Sequence, residues 1–236
     1  MKLPTKTLEK KLFKSGYRYV IGVDEVGMGC LAGPVVVCAV RLADSFYEKS
    51  HKKLRWLRES KLLLAKQRNF YVAELIKEKD LVYTLTLAHP KTIDKLNIYN
   101  AARQAMKRAV SKLSGSCPSS PHGYSINFRV HGVPSRVTPP ANKMIVLVDG
   151  GAKIKGLNIE QMAIVKGDRK VFAIACASII AKVFRDKMMT RYAKKYPGYG
   201  FEKHKGYGTK YHQARLTSMG PCEIHRKSFA PVAKLL

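Results

Sequence analysis

Residues 19–29, Tyr-Val-Ile-Gly-Val-Asp-Glu-Val-Gly-Met-Gly, constrain the architecture more than any other segment of the chain. A run of β-formers that ends in two acids and then alternating glycines describes a strand whose tip opens into a tight turn, with backbone amides close to whatever binds there. Asp24 and Glu25 at such a tip are good ligands for hard cations. In a regular strand, adjacent side chains project to opposite faces. The two carboxylates can therefore serve one site only if the chain twists or bulges there, which Gly27 and Gly29 permit.

These acids stand in a strongly basic chain. Forty-four Lys and Arg against 16 Asp and Glu give a formal charge of +28, which makes a polyanion, nucleic acid first, the expected partner. An anionic membrane surface fits less well, because the sequence has neither an amphipathic basic helix nor a lipidation signal. The amino terminus lacks the apolar core of a secretory signal, and no stretch approaches the ~20 apolar residues that span a bilayer, so a cytoplasmic protein is expected. Five widely spaced cysteines without a Cys-x-x-Cys pair support neither a disulfide framework nor a structural zinc site.

Along the chain, a basic leader (1–16) precedes two strands at 17–26 and 34–42, which suggest an antiparallel hairpin. Helical spacing follows at 66–79, strand alternation at 81–88 and a long helix at 92–113. Ser, Pro, Gly and basic residues break the pattern at 114–142, the mark of a flexible surface insertion. Order resumes at 144–149, an apolar strand that ends in Asp149-Gly150 and so repeats the chemistry of the first. A strand at 161–165, a largely apolar helix at 171–196 and a helix at 210–219 complete the pattern. On the long helix Ser178, Lys182 and Asp186 share one face. The expected fold is α/β, a central mixed β-sheet flanked by helices with a C-terminal helical segment, forming a single domain over 17–236.

Asp24, Glu25, Asp149 and Asp186 are acids set in or against apolar segments, where an unpaired charge is expensive. An all-oxygen set without His or Cys partners suits Mg²⁺, or Mn²⁺ in its place. Two such ions ~4 Å apart can activate water and hold the leaving oxygen of a phosphodiester, which is nuclease chemistry. For Asp186, a plain i, i+4 helix pair with Lys182 is the competing explanation.

The segment Gly22-Val23-Asp24-Glu25-Val26-Gly27-x-Gly29, followed by Leu31-Ala32-Gly33-Pro34-Val35-Val36, resembles the opening signature of bacterial ribonuclease HII. Glu59-Ser60-Lys61 resembles that family's Asp-Ser-Lys segment, Val148-Asp149-Gly150 its second acid and 177–186 its helix carrying the third aspartate. The tail from Tyr196 to Ala230 is similar too. The resemblance implies a ribonuclease H-like fold. It also implies metal-dependent hydrolysis of the RNA strand of RNA/DNA hybrids, and cleavage 5′ of single ribonucleotides in duplex DNA, leaving 3′-hydroxyl and 5′-phosphate ends. By position it makes Asp24, Glu25, Asp149 and Asp186 the metal-binding catalytic acids. Tyr207 would be the residue stacked at the RNA-to-DNA junction, sensing the ribose 2′-hydroxyl. Gly27, Met28 and Gly29 would form the substrate-reading loop, and Lys61, Lys182 and Arg185 would contact phosphates.

The chain departs from the family where Gly27-Met28-Gly29 replaces Gly-Arg-Gly, where Cys30 replaces a proline, at Glu59 for Asp, and across Leu62–Leu64. Loss of the loop arginine predicts an active enzyme with less selectivity for isolated ribonucleotides. A monomer acting on RNA/DNA hybrid and ribonucleotide-containing duplex DNA is expected. Pro231 to Leu236 shows no clear partner motif, so recruitment of a sliding clamp stays open. Ribonuclease HIII would require a Gly-Lys-Gly loop and a separate amino-terminal domain. A purely structural nucleic-acid-binding protein would account for the charge but has no need of acids at strand tips.

Overall fold

A computed structural model describes residues 3–115 and 143–236. Most of the expected insertion at 114–142 lies outside the described residues. Five strands form one mixed sheet in the order β3-β2-β1-β4-β5. Strands β1 (Tyr19–Val26), β2 (Val35–Ala43) and β3 (Leu81–Ala88) are antiparallel neighbours, whereas β4 (Met144–Asp149) and β5 (Glu160–Ile164) add in parallel to the other side of β1. The central strands are apolar on both faces because each face is covered by helix, as a sheet buried on two sides requires.

Alternation along β1 and β2 divides their side chains between two cores. Val20, Val36, Cys38 and Val40 pack with the long helix α6 (Phe172–Lys195), and Ile21, Val23, Val35 and Val37 pack with α5 (Ile98–Leu113). Helix α5 meets the sheet through Ala101, Ala105, Met106, Ala109 and Val110, the i, i+4 spacing of one buried stripe. Helix α6 comes so close that a Cβ on Gly22 would stand 2.3 Å from the Ala173 carbonyl carbon. Gly22 is thus a packing requirement at the centre of the sheet.

Two segmentations differ from the sequence reading. The leader is not set apart from the core: α1 (Thr7–Lys14) buries Leu12 and Glu9, and the Glu9 carboxylate accepts from the Ala173 amide at 3.1 Å, at the start of α6. Thr5 adds backbone hydrogen bonds with Lys170 and Phe172. A carboxylate beside free amides at a helix N-terminus is the favourable polarity. The helix expected over 92–113 is divided into α4 (Pro90–Leu96) and α5 by Asn97, which adopts φ +65° and accepts from the Asn100 amide at 3.0 Å. Asparagine tolerates positive φ and caps a helix N-terminus, so one residue ends the first helix and starts the second.

Beyond α6, the short α7 (Phe201–His204), α8 (Lys210–Met219) and the tail to α9 (Ala230–Ala233) wrap back over the loop between β1 and β2. Isolated bridges Cys30–Tyr207 and Ala32–His225 stitch them together. Among the described residues no helix is long and apolar enough to cross a membrane.

Candidate active site

The carboxylates gather at the carboxyl ends of the parallel pair β1 and β4, where open α/β sheets place their ligand sites. The ladder between these strands ends at Val23–Val148, leaving Asp24, Glu25 and Asp149 just past the last paired residues. No bulge brings Asp24 and Glu25 together, because β1 and β2 pair one to one from Tyr19–Ala43 to Val26–Val36. The acids occupy opposite faces at the sheet's edge and share Asp149 as a neighbour instead. Asp24 lies on the α6 side, hydrogen-bonded to Ser178, whereas Glu25 faces the positive charge of Arg103 on α5.

Burial pushes the Asp24 carboxyl well above the usual carboxylate range, and the charges of Glu25, Asp149 and Asp168 push it the same way. Burial and then Asp149 raise Glu25 to about 7, against the opposing pull of Arg103 and Lys61. Desolvation and like-charge repulsion therefore act together here. Glu25 Oε2 is enclosed and finds no hydrogen-bond donor among the described residues. Asp149 is oriented by the Gly167 amide, which donates to its Oδ1 at 2.6 Å.

That amide introduces an acid that the sequence reading passed over. Asp168 sits in the 3-10 turn Gly167–Arg169 between β5 and α6, and its carboxyl is raised by burial, by Asp149 and by Glu59. Its signal in the sequence is a Gly-Asp pair in the short turn between a strand and an apolar helix. Asp186, by contrast, does not join the group. Ser178 touches Asp24, and Asp186 lies eight residues further along α6, ~12 Å at 1.5 Å per residue. Its carboxylate is held by Lys182 at 2.8 Å and Arg68 at 3.5 Å. The competing explanation, an i, i+4 helix pair, accounts for it.

The remaining expected contacts separate in the same way. Ser60 Oγ lies 3.0 Å from Ser178 Oγ, so Glu59-Ser60-Lys61 borders the acids, and exposed Lys61 acts on both Glu25 and Asp168. Buried Glu59 is bound by Arg169 at 2.7 Å. Lys182 carries its ammonium 5.7 Å from the centre of the partly exposed Tyr207 ring, while remaining paired to Asp186. Arg185 is not placed to touch phosphate. It is fully buried and donates to the carbonyls of Pro34, Ala32 and Lys205 at 3.0, 3.1 and 2.7 Å.

Arg226, absent from the sequence reading, is its counterpart, donating to Gly27, Met28 and Gly33 carbonyls at 2.6, 2.8 and 3.0 Å. Burial lowers its guanidinium to about 10. Gly27 has φ +97°, and a Cβ there would meet Arg185 Nε at 2.3 Å, so the loop admits only glycine at this point. Met28 is half-buried against the α5-side core, and Gly29 is exposed.

The donor set is all oxygen and its crowded carboxyls repel one another, an arrangement that a hard divalent cation relieves. No three His, Cys, Asp or Glu side chains among the described residues are drawn into a finished ligand cage. An edge of this kind suits Mg²⁺, which takes few carboxylates and keeps its own waters.

A mixed sheet with clustered carboxylates at its central strand tips, in a strongly basic chain, defines a phosphodiester-hydrolysing enzyme of nucleic acid. The sequence profile of the family described as Ribonuclease HII matches residues 21–232. Ribonuclease HII of Caldicellulosiruptor saccharolyticus is 43% identical over 222 residues, covering 94% of this chain and 92% of the relative. The ribonuclease H2 of Pyrococcus horikoshii has the same fold, with a TM-score of 0.66 at 24% identity over 92% of this chain and 96% of that one. Bst-RNase HIII, solved in complex with Mn²⁺, aligns with a TM-score of 0.62 at 15% identity, covering 95% and 71%. The chain belongs to the ribonuclease HII family, endoribonucleases that cleave RNA in RNA/DNA hybrids and at ribonucleotides embedded in DNA.

Proposed function

We propose that Asp24, Glu25, Asp149 and Asp168 form the catalytic centre of this endoribonuclease, and that Asp186 lies outside it. The observation that carries this assignment is mutual. The carboxyls of Asp24, Glu25 and Asp168 are each raised by burial and by the charge of Asp149, whereas Asp186 is neutralised by Lys182 and Arg68. These four residues would hold Mg²⁺ or Mn²⁺. The bound ions would supply a hydroxide-like nucleophile at neutral pH and neutralise charge on the cleaved phosphate.

The chain's own groups set the stage for that chemistry. The Gly167 amide fixes one Asp149 oxygen, Ser178 holds Asp24 on the α6 side, and Lys61 places a positive charge next to Glu25 and Asp168. The Gly27–Gly29 loop offers backbone groups to the ribose, and Tyr207 stacks at the junction, where the 2′-hydroxyl separates RNA from DNA. A basic groove between α3 (Ala65–Leu75) and α6, with Lys187, Arg191, Lys194 and Lys205 along it, offers contacts to the duplex backbone that position without reading sequence. The protein would act as a cytoplasmic monomer.

The test uses a duplex with one ribonucleotide and a long RNA/DNA hybrid, each with Mg²⁺, Mn²⁺ or EDTA. Asp168→Asn is expected to lose roughly a hundred-fold or more of cleavage on both, the scale for removing one electrostatic group from such a site. Asp186→Asn is expected to stay within a few-fold of the natural protein. The reverse pattern would return Asp186 to the centre.

A further inference from the structure

The tail contains a chain of imidazoles whose proton positions the backbone dictates. His212 Nδ1 lies 2.9 Å from the Tyr207 carbonyl, which can only accept, so Nδ1 carries the proton and Nε2 of the neutral ring is an acceptor. His225 Nδ1 receives the Cys222 amide at 2.9 Å, which can only donate, so that nitrogen is bare and Nε2 carries the proton. The two Nε2 atoms are 3.1 Å apart, and the remaining direction is forced: His225 donates to His212. The Cys222 thiol lies 3.1 Å from the same Nδ1. Both rings are buried, and burial lowers each to about 4, so both are neutral under ordinary conditions.

A third imidazole holds the amide of Gly206, the residue before Tyr207. His204 accepts the Gly206 amide at Nδ1, 3.1 Å, donates to the Tyr199 carbonyl from Nε2, 2.8 Å, and stacks on His212 with ring centres 4.2 Å apart. The Tyr207 carbonyl is thus held by His212, and the Gly206 amide, one residue before it, by His204. The residue after His225 is Arg226, whose guanidinium holds the carbonyls of Gly27 and Met28.

We propose that His225-Arg226 is a positioning dipeptide for substrate selection, His225 setting Tyr207 through His212 while Arg226 sets the Gly27–Gly29 loop from the adjacent residue. Neither side chain touches the substrate; together they hold the two substrate-reading elements in one register. The inference rests on the proposed role of Tyr207 at the junction. It explains why polar groups are buried behind an exposed aromatic: satisfied networks fix one arrangement, which an apolar filling would not. Held reading elements matter because misplacement of about 1 Å is costly in rate.

Two measurements test it on the full chain. Imidazole ¹⁵N spectra should show His212 as the Nδ1–H tautomer and His225 as the Nε2–H tautomer, whereas the opposite tautomer at either ring would overturn the chain. The second compares kcat and KM on single-ribonucleotide duplex and long hybrid for Tyr207→Ala, His225→Leu, His225→Gln and the Tyr207→Ala/His225→Leu double variant. His225→Leu should lower the preference for the single ribonucleotide by about ten-fold, the rate equivalent of one hydrogen bond. His225→Gln keeps a donor at the Nε2 position and should recover most of that loss. In the double variant, His225→Leu should add nothing to Tyr207→Ala. A preference that falls with Tyr207→Ala but not with His225→Leu would refute the positioning role. If Tyr207→Ala itself leaves the preference intact, the junction role of Tyr207 fails instead, and the tautomers still decide whether the chain exists as drawn.

Discussion

Two regions of this protein bury charge, and they treat it oppositely. Around Arg185 and Arg226, each fully buried guanidinium is met by three backbone carbonyls, and the loops that supply them are bound to the tail as a result. At the tips of β1 and β4, carboxylates are buried against one another, and one oxygen of Glu25 has no donor among the described residues. The first region is satisfied and holds the architecture. The second is left in tension, which is the condition a cation-binding site needs.

Substitutions that remove charge should therefore have opposite signs in the two regions. Arg226→Met is expected to cost about 3 kcal/mol or more, because three carbonyls lose their donor inside the protein. Urea unfolding at pH 7 in EDTA checks it, and an unchanged midpoint would mean that water replaces the guanidinium without loss. Asp24→Asn should instead stabilise the metal-free protein, by about 1 to 2 kcal/mol, while abolishing cleavage, a separation of stability from function typical of active sites.

The pH dependence sharpens the contrast. Glu25 has its folded pKa raised to about 7, above its unfolded value, so between roughly pH 4.5 and 7 the folded state binds more protons than the unfolded one. Its contribution to stability is fully present below that window and is lost as pH rises through about 7. Glu25→Gln should accordingly stabilise the metal-free protein more at pH 8 than at pH 5. An equal difference at both values would show that the carboxyl is not held up. His212 and His225 run the other way. Their folded values near 4 lie below the usual one, so stability from them is lost as pH falls from about 6.5 towards 4. Replacing either should flatten the acid limb of the unfolding profile.

The smallest expected effect concerns Met28. Its carbonyl is fixed by Arg226 and its side chain rests half-buried on the α5-side core, so the loop's backbone keeps its form without the family's arginine. Met28→Arg should raise the preference for a single ribonucleotide over long hybrid by up to about ten-fold, one charge-assisted hydrogen bond. Unchanged preference would mean the glycine backbone alone does the reading.

Much of the sheet was legible because strands end where acids and glycines begin. The apolar runs of β1, β2, β3 and β4 and the apolar length of α6 announced themselves by period and composition. Asn97 did not, since a single positive φ interrupts a helical pattern without altering its hydrophobic spacing. The leader misled through its charge, because the buried Glu9 is one acid among lysines. Three of the four proposed acids stand at strand tips where sequence pattern finds them. Asp186 was drawn in by sharing a face with Ser178 and Lys182, although two helical turns carry it away from Asp24. Asp168 was missed because the turn that brings it to Asp149 is set by the Gly167 amide, a contact between residues 18 apart. Arg185 and Arg226 illustrate the same limit: a basic residue in a basic chain looks like a phosphate contact until its burial is known.

Where the cation binds decides between Asp168 and Asp186 most directly. A crystal of the protein grown with Mn²⁺ should give its anomalous peak among Asp24, Glu25, Asp149 and Asp168, with Asp186 still paired to Lys182 and Arg68. A peak coordinated by Asp186, with Asp168 unengaged, would contradict it.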